Sequence, residues 1–303
     1  MNVRRGAVVV SYVFVAILAC SRSTATSRAR TVVTGAATPL PVWLTGLWTR
    51  EWIERAGERT SAFDVHYLQT PLAFADVRLP RERSVLSHAR SFSDLTDMEL
   101  HVFARQRGFT GFTTMNGALA TSHHEIDFQP ADTEPDIGRL ERIDDAHILE
   151  HAPDSSYTEA WRSLDQGETR FLSLRDERDG RLERVLLVAG DHFLFVRNRA
   201  HDLPAAKSLD SLISSREVTR SQMVDYLDCD FSTGLVRGGS VPWEIQHSTL
   251  PWREGSQLEI ADSLSFANGA SQPVATGTTR TQWLMQVNTF TPAELQRMFA
   301  ARP

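Results

Sequence analysis

The chain has 303 residues, 41% of them hydrophobic and 23% charged. Those proportions fit a folded globular protein and exclude wholesale disorder or a polytopic membrane protein. The formal net charge of −6 argues against nucleic acid as a partner, and the length predicts two domains that each bury a core.

At the start, Arg4 and Arg5 precede the apolar run Ala7 to Ala19. The run is too short to cross a bilayer and has the form of a secretory signal. It ends in Ile17-Leu18-Ala19-Cys20, which resembles a bacterial lipobox, so residues 1–20 are expected to be a signal peptide with Cys20 as the lipidated residue. Leu18 is bulkier than usual there, which keeps ordinary cleavage or an uncleaved anchor as alternatives. The expected location is the cell envelope, lipid-anchored or periplasmic, with secretion as the alternative; the membrane is then a partner through the anchor. Residues 21–40, rich in Ser, Thr, Ala and Arg at first, lack apolar periodicity and read as a flexible tether. If Cys20 carries lipid, Cys229 has no partner for a disulfide. Flanked by Asp228 and Asp230, its thiol should have a raised pKa and a structural role. Lys207 is the only lysine, which leaves little room for Schiff-base chemistry.

The body opens with an aromatic strand, Val42 to Glu54, followed by strands Ala62 to Thr70 and Phe74 to Leu79. A helix is expected over Asp94 to Arg107, capped by Asp94, with Leu95, Met98 and Val102 on its apolar face. Strands Phe112 to Met115 and Leu119 to Phe128 flank Asn116-Gly117, a hairpin signal. A Pro/Asp loop, Pro130 to Asp136, leads to strands Arg139 to Ile143, His147 to His151 and Tyr157 to Leu164. Asp165-Gln166-Gly167 reads as a joint. Beyond it, Phe171 to Glu177, Leu182 to Ala189 and His192 to Arg197 form two hairpins, and a helix-like stretch, Ala205 to Leu227, again precedes strands. Thr291-Pro292-Ala293-Glu294-Leu295 opens a capped final helix that should dock through Leu295, Met298 and Phe299.

The second half echoes the first. Phe112-Thr113-Thr114 matches Phe231-Ser232-Thr233, Glu125-Ile126 matches Glu244-Ile245, and Leu140-Glu141 matches Leu258-Glu259. A duplication of short antiparallel strands, with a short helix in each unit, predicts a mainly β fold: two tandem calycin/lipocalin-like antiparallel barrels over 41–165 and 166–303. A pair of β-sandwiches is the alternative.

The stretches LQTPLAFADVRLP, GFTGFTTMNG, HHEIDFQP, DIGRLE and STLPWREGSQL resemble a group of bacterial proteins similar in turn to the fungal Hri1 family. That resemblance, over most of residues 43 to 260, implies a pair of calycin-like barrels and no settled activity.

Strand alternation puts Thr121, His123, Glu125, Asp127 and Gln129 on one face and His124, Ile126 and Phe128 on the other. If the first face lines a cavity, His123 could be a general base oriented by Glu125 or Asp127. His66, Gln69, Asp76, Arg78 and Gln129 would then help to bind a ligand, with Arg78 holding an anionic group and Trp252 at the rim. The competing expectation is a solvated outer face with Ile126 and Phe128 packed inward. His123 and Glu125 with His66 or His247 make a weak metal pattern, and neither paired Cys nor HExxH supports it, so no metal is assigned; no cofactor is assigned either. No GxSxG, nucleotide-binding or kinase signature occurs. The expected function is binding of a small, partly hydrophobic molecule in a barrel; the alternatives are a hydrolase, isomerase or lyase using the His123 face, and a structural module with filled barrels.

Overall fold

The computed structural model describes residues 39–132, 134–176, 178–260, 263–265, 274–276 and 282–299. Cys20 and the expected signal and tether segments lie outside them, apart from Pro39 and Leu40. Nine strands form the first sheet: β1 (Gly46–Arg55), β2 (Glu58–Thr60), β3 (Phe63–Gln69), β4 (Phe74–Pro80), β5 (Arg107–Asn116), β6 (Leu119–Asp127), β7 (Asp136–Arg142), β8 (His147–His151) and β9 (Thr158–Asp165). Neighbours pair antiparallel, and β9 returns to β1, so eight strands close into a barrel while β2 forms a short ribbon on β1. Closure leaves no free edge along the ring.

The second sheet contains β10 (Thr169–Asp176), β11 (Leu182–Ala189), β12 (His192–Arg197), β13 (Asp230–Leu235), β14 (Glu244–Ser248), β15 (Ser263–Ser265), β16 (Val274–Thr276) and β17 (Gln282–Asn288). Its order is β14-β13-β12-β11-β10-β17-β16-β15, open among the described residues. The expected pair of closed barrels is thus one closed barrel and one open antiparallel sheet. Both belong to a single compact unit, residues 37–303.

Strand β4 shows how the sheets meet. Nearly every residue of Phe-Ala-Asp-Val-Arg-Leu-Pro is buried: Asp76 and Arg78 face the barrel cavity, while Ala75, Val77 and Leu79 enter an apolar core shared with Val185, Leu187, Leu194 and Val196 of the second sheet. A strand buried on both faces loses the simple apolar/polar alternation. Two other clusters lie on the inner faces, one around Trp48, Val65, Ile148 and Trp161 in the barrel and one around Leu172, Phe193, Phe195 and Ile245 in the second sheet.

The helices differ from expectation in their limits. α1 spans Asp97–Phe103 and is capped by Thr96 with Glu99, whereas Asp94 completes a capping box with Ser91 one turn earlier. The local oxygen nearest the first free amide wins. Leu100 and Phe103 are buried with Leu95, and Met98 is 79% exposed. The stretch before β13 is two short helices, α2 (Leu209–Ile213) and α3 (Arg220–Leu227), capped by Ser208 and Thr219. α4 (Pro292–Phe299) follows the expected Thr291/Glu294 capping box and buries Leu295; the side chains of Met298 and Phe299 lie outside the described set.

The two sheets carry a matching local feature, in a register different from that of the sequence echo. A β-bulge on β6 lies opposite Thr110 and Gly111 of β5, and one on β14 lies opposite Thr233 and Gly234 of β13. Thr110 Oγ1 donates to the Phe74 carbonyl at 2.6 Å, and Thr233 Oγ1 to that of Phe193 at 2.8 Å. A Cβ on Gly111 would lie 1.8 Å from the His123 carbonyl oxygen, and one on Gly234 1.9 Å from that of Glu244. Thr-Gly therefore matches Thr-Gly, and the extra residue Glu125 matches Gln246, not Glu244. His124 opposite Gly111 corresponds to Ile245 opposite Gly234.

Candidate ligand-binding cavity in the first barrel

The barrel encloses a cavity of about 350 Å³, within the range of small-molecule sites. One end is apolar: Leu44, Trp48, Ala120, Leu140, Ile148 and Trp161 line it. There a turn at Val42–Leu44 closes the bottom, held in part by the Trp48 indole N–H donating to the Leu44 carbonyl at 2.9 Å. At the other end the exposed lining residues Arg55, Arg107 and Asp132 mark the mouth.

Between the ends runs a belt of charge. The Arg78 guanidinium meets Asp76 at 2.8 Å, and Arg50 meets Glu159 at 2.5 Å. Arg50, Asp76 and Glu159 are almost fully buried, so each charge depends on its partner. Burial works against the Arg78 charge, but Asp76 and Glu159 outweigh it and hold the proton on; burial pushes the Asp76 carboxyl upward against the pull of Arg78. Glu150 and Glu159 are register partners on β8 and β9, which places the two carboxyls on the same face of neighbouring strands. Burial, then the charges of Glu159 and Asp136, push Glu150 up to about 8, so it carries a proton at neutral pH. Tyr157 donates to its Oε1 at 3.0 Å. A Cβ at Gly138 would come within 2.6 Å of that oxygen, so glycine makes room for the carboxyl.

Two buried polar atoms in this lining have no hydrogen-bond partner among the described residues: Asp76 Oδ2, an acceptor, and Trp161 Nε1, a donor. Buried polar groups are nearly always satisfied. Both belong to residues of the cavity wall, where they are covered by neighbouring atoms of the protein.

Near the mouth, His124 stacks on Phe109 with ring centroids 4.3 Å apart. Its Nδ1 lies 2.7 Å from Asp127 and its Nε2 3.1 Å from Asp136. Burial opposes the charge, but the two carboxylates outweigh it and raise the imidazole to about 9. A cation held on both nitrogens cannot accept a proton at neutral pH, so His124 is a fixed charge.

The face assignment around residue 125 requires correction. The extra residue at the bulge flips the alternation, so His124 and Asp127 meet, while His123 stacks on Phe112 and bonds Thr114 at 2.9 Å. Glu125 points to Arg175 of the second sheet at 2.6 Å. His123, Glu125 and Asp127 therefore do not form one constellation, and none lines the cavity.

Of the expected binding residues, Asp76 and Arg78 line the cavity. Gln69 is fully buried beside it and satisfied, accepting from Tyr67 and Thr113 and donating to the carbonyls of Thr70 and Ala73. Gln129 ties the end of β6 to the carbonyls of Ala104 and Gln106 and to the N–H of Leu209. His66 lies on the outer side, stacked on His247 at 5.3 Å. Trp252 packs against Phe92 and Phe103 beside the shared core, away from the barrel mouth. Trp161 lines the cavity; Trp243, Phe193 and Phe195 belong to the second sheet's apolar cluster, and the Trp283 side chain lies outside the described set. Sequence reasoning missed Arg50, Arg55, Arg107, Glu150, Tyr157 and Glu159. The available signal was an acid sharing a strand face with a large apolar residue, Glu150 with Ile148 and Glu159 with Trp161.

Cys229 is buried, and burial pushes its thiol up, in keeping with a structural role. No group of three or more His, Cys, Asp or Glu side chains among the described residues could hold a metal ion. No described helix is long and apolar enough to cross a membrane.

Fold and cavity together define a closed, eight-stranded antiparallel β-barrel with an internal cavity, an architecture compatible with ligand binding. Among solved structures the chain is similar to the uncharacterized protein YLR301w from Saccharomyces cerevisiae, at 10% identity over 80% of this chain and 98% of that one, with a TM-score of 0.46. It is also similar to a lipocalin-like protein from Bacteroides uniformis, at 12% identity over 40% of this chain and 99% of that one, with a TM-score of 0.28. No family model and no curated protein matches the chain.

Proposed function

We propose that this protein binds a small, partly hydrophobic molecule in the first barrel. The observation that carries the reading is the cavity itself, about 350 Å³ inside the closed barrel, lined by Trp48, Leu140, Ile148 and Trp161 at one end and by charged side chains toward the other. In this reading residues 41–165 are the binding lobe and residues 166–303 a supporting lobe, a filled counterpart of the barrel in which apolar side chains such as Phe195 and Ile245 occupy the inner face. The export signal and lipidation at Cys20 belong to the same proposal: a binding protein held at the cell envelope.

The test is native mass spectrometry of the full-length protein purified without denaturation. A bound molecule that is lost from the Ala120→Phe variant, whose added ring fills the apolar end of the cavity, is the expected result. A bare polypeptide mass, or the same adduct on Ala120→Phe, would count against the reading. A second reading, acid–base catalysis, is favoured by one observation: Glu150, with its retained proton, is the register partner of Glu159. A buried carboxyl that keeps its proton beside a second carboxyl is a recurrent acid–base arrangement.

A further inference from the structure

The belt carboxylates of the cavity already have cationic or protonic partners. Asp76 has Arg78, Glu159 has Arg50, Asp136 has His124, and Glu150 accepts the Tyr157 hydroxyl. Asp132 accepts the Glu134 N–H within its own loop. The cations are not matched in the same way. Arg55 and Arg107, both at the mouth, form no ion pair among the described residues. Each leans over a ring instead, Arg55 over Tyr157 at 5.6 Å and Arg107 over Phe63 at 6.0 Å. These contacts hold the stems while leaving guanidinium N–H groups to be satisfied by something else. Arg107 is register partner to Arg78, and after partial burial the charges of Arg78, Arg55 and Arg50 are what lower its proton affinity. The guanidiniums repel one another across the opening, and an anion between them would relieve that repulsion and gain charge-assisted, bidentate hydrogen bonds.

Resting on the reading of the first barrel as a ligand site, we propose that its ligand is an organic anion: a carboxylate, sulfonate or phosphate held at the mouth by Arg55 and Arg107, with an apolar body reaching inward toward Trp48 and Trp161.

Two dyes with one aromatic frame test this on the full chain: the anion 8-anilinonaphthalene-1-sulfonate and its neutral counterpart N-phenyl-1-naphthylamine. The sulfonate should bind at least about tenfold more tightly, the scale of one charge-assisted hydrogen bond. Added salt should weaken that preference, and the double variant Arg55→Gln, Arg107→Gln should bring the two affinities together. Ala120→Phe should abolish binding of both, with Ile148→Phe as the second block if near-ultraviolet circular dichroism shows Ala120→Phe misfolded. If both dyes bind equally, are unmoved by the arginine changes and are lost on blocking, the cavity stands and the anion inference is overturned. If neither binds, or both bind a correctly folded blocked variant, the cavity reading fails and the inference with it.

Discussion

At the scale of single residues, two groups near the mouth couple stability to pH in the same direction. Glu150 titrates near 4.5 in an unfolded chain and at about 8 in the folded one. Between those values the folded state keeps a proton that the unfolded state releases, so stability falls as pH rises through that window. His124 moves from 6.5 to about 9. Its contribution is fully present below 6.5 and is lost as pH rises through about 9. Urea denaturation across both windows should show Glu150→Gln flattening the lower part of the decline and His124→Gln the upper part. A variant with the wild-type slope in its own window would show that the residue does not titrate as its surroundings require.

At the scale of elements, the bulge on β6 decides which side chains face the cavity. Gly111 permits it because its α-carbon lies against the His123 carbonyl, and a Cβ 1.8 Å from that oxygen has nowhere to go. Gly111→Ala is expected to cost about 2–4 kcal/mol and to displace the His124 ring; thermal unfolding reads the first effect and the His124 ring proton shifts the second. Wild-type stability would mean that the backbone relaxes freely there. The same element marks the limit of sequence reasoning. Strand existence was legible, because the mainly apolar runs Leu182–Ala189 and His192–Arg197 are separated by Gly190-Asp191 and the first is preceded by Asp179-Gly180, both turn signals. The face of each side chain between Thr110 and Asp127 was not, since a single extra residue inverts the alternation and nothing local in His-His-Glu-Ile-Asp announces it. Asp76 and Arg78 were legible as site residues because they stand two apart amid apolar neighbours. Arg50, Glu150 and Glu159 were not, because their burial depends on closure between β1 and β9, strands more than a hundred residues apart in the chain.

At the scale of the molecule, the two sheets share one apolar core between their outer faces, so neither presents a solvated outer surface there. Polar ties reinforce it: Arg199 donates to the carbonyls of Asp127 at 2.7 Å and Phe128 at 2.6 Å. Heat should therefore unfold the described body in one cooperative transition; two resolved transitions by calorimetry would contradict the shared core. The His66–His247 stack lies on this seam. Burial, then the neighbouring His247 ring, lowers His66 from 6.5 to about 4. The unfolded chain gains that proton first on acidification, so stability should be lost as pH falls from about 6.5 toward about 4. His66→Phe should remove that part of the acid sensitivity, and an unchanged melting-temperature profile in the variant would place the titration elsewhere.

The turn at Val42–Leu44 has a consequence for how such a molecule can be mounted. Leu40, Trp43 and Leu44 cork the base of the vessel from the amino-terminal side, while Arg55 and Arg107 sit on its far rim. Whatever precedes Pro39 joins the chain at its base. Fastened by its beginning, the vessel would be held like a cup by its foot, and its lip would not be the point of attachment.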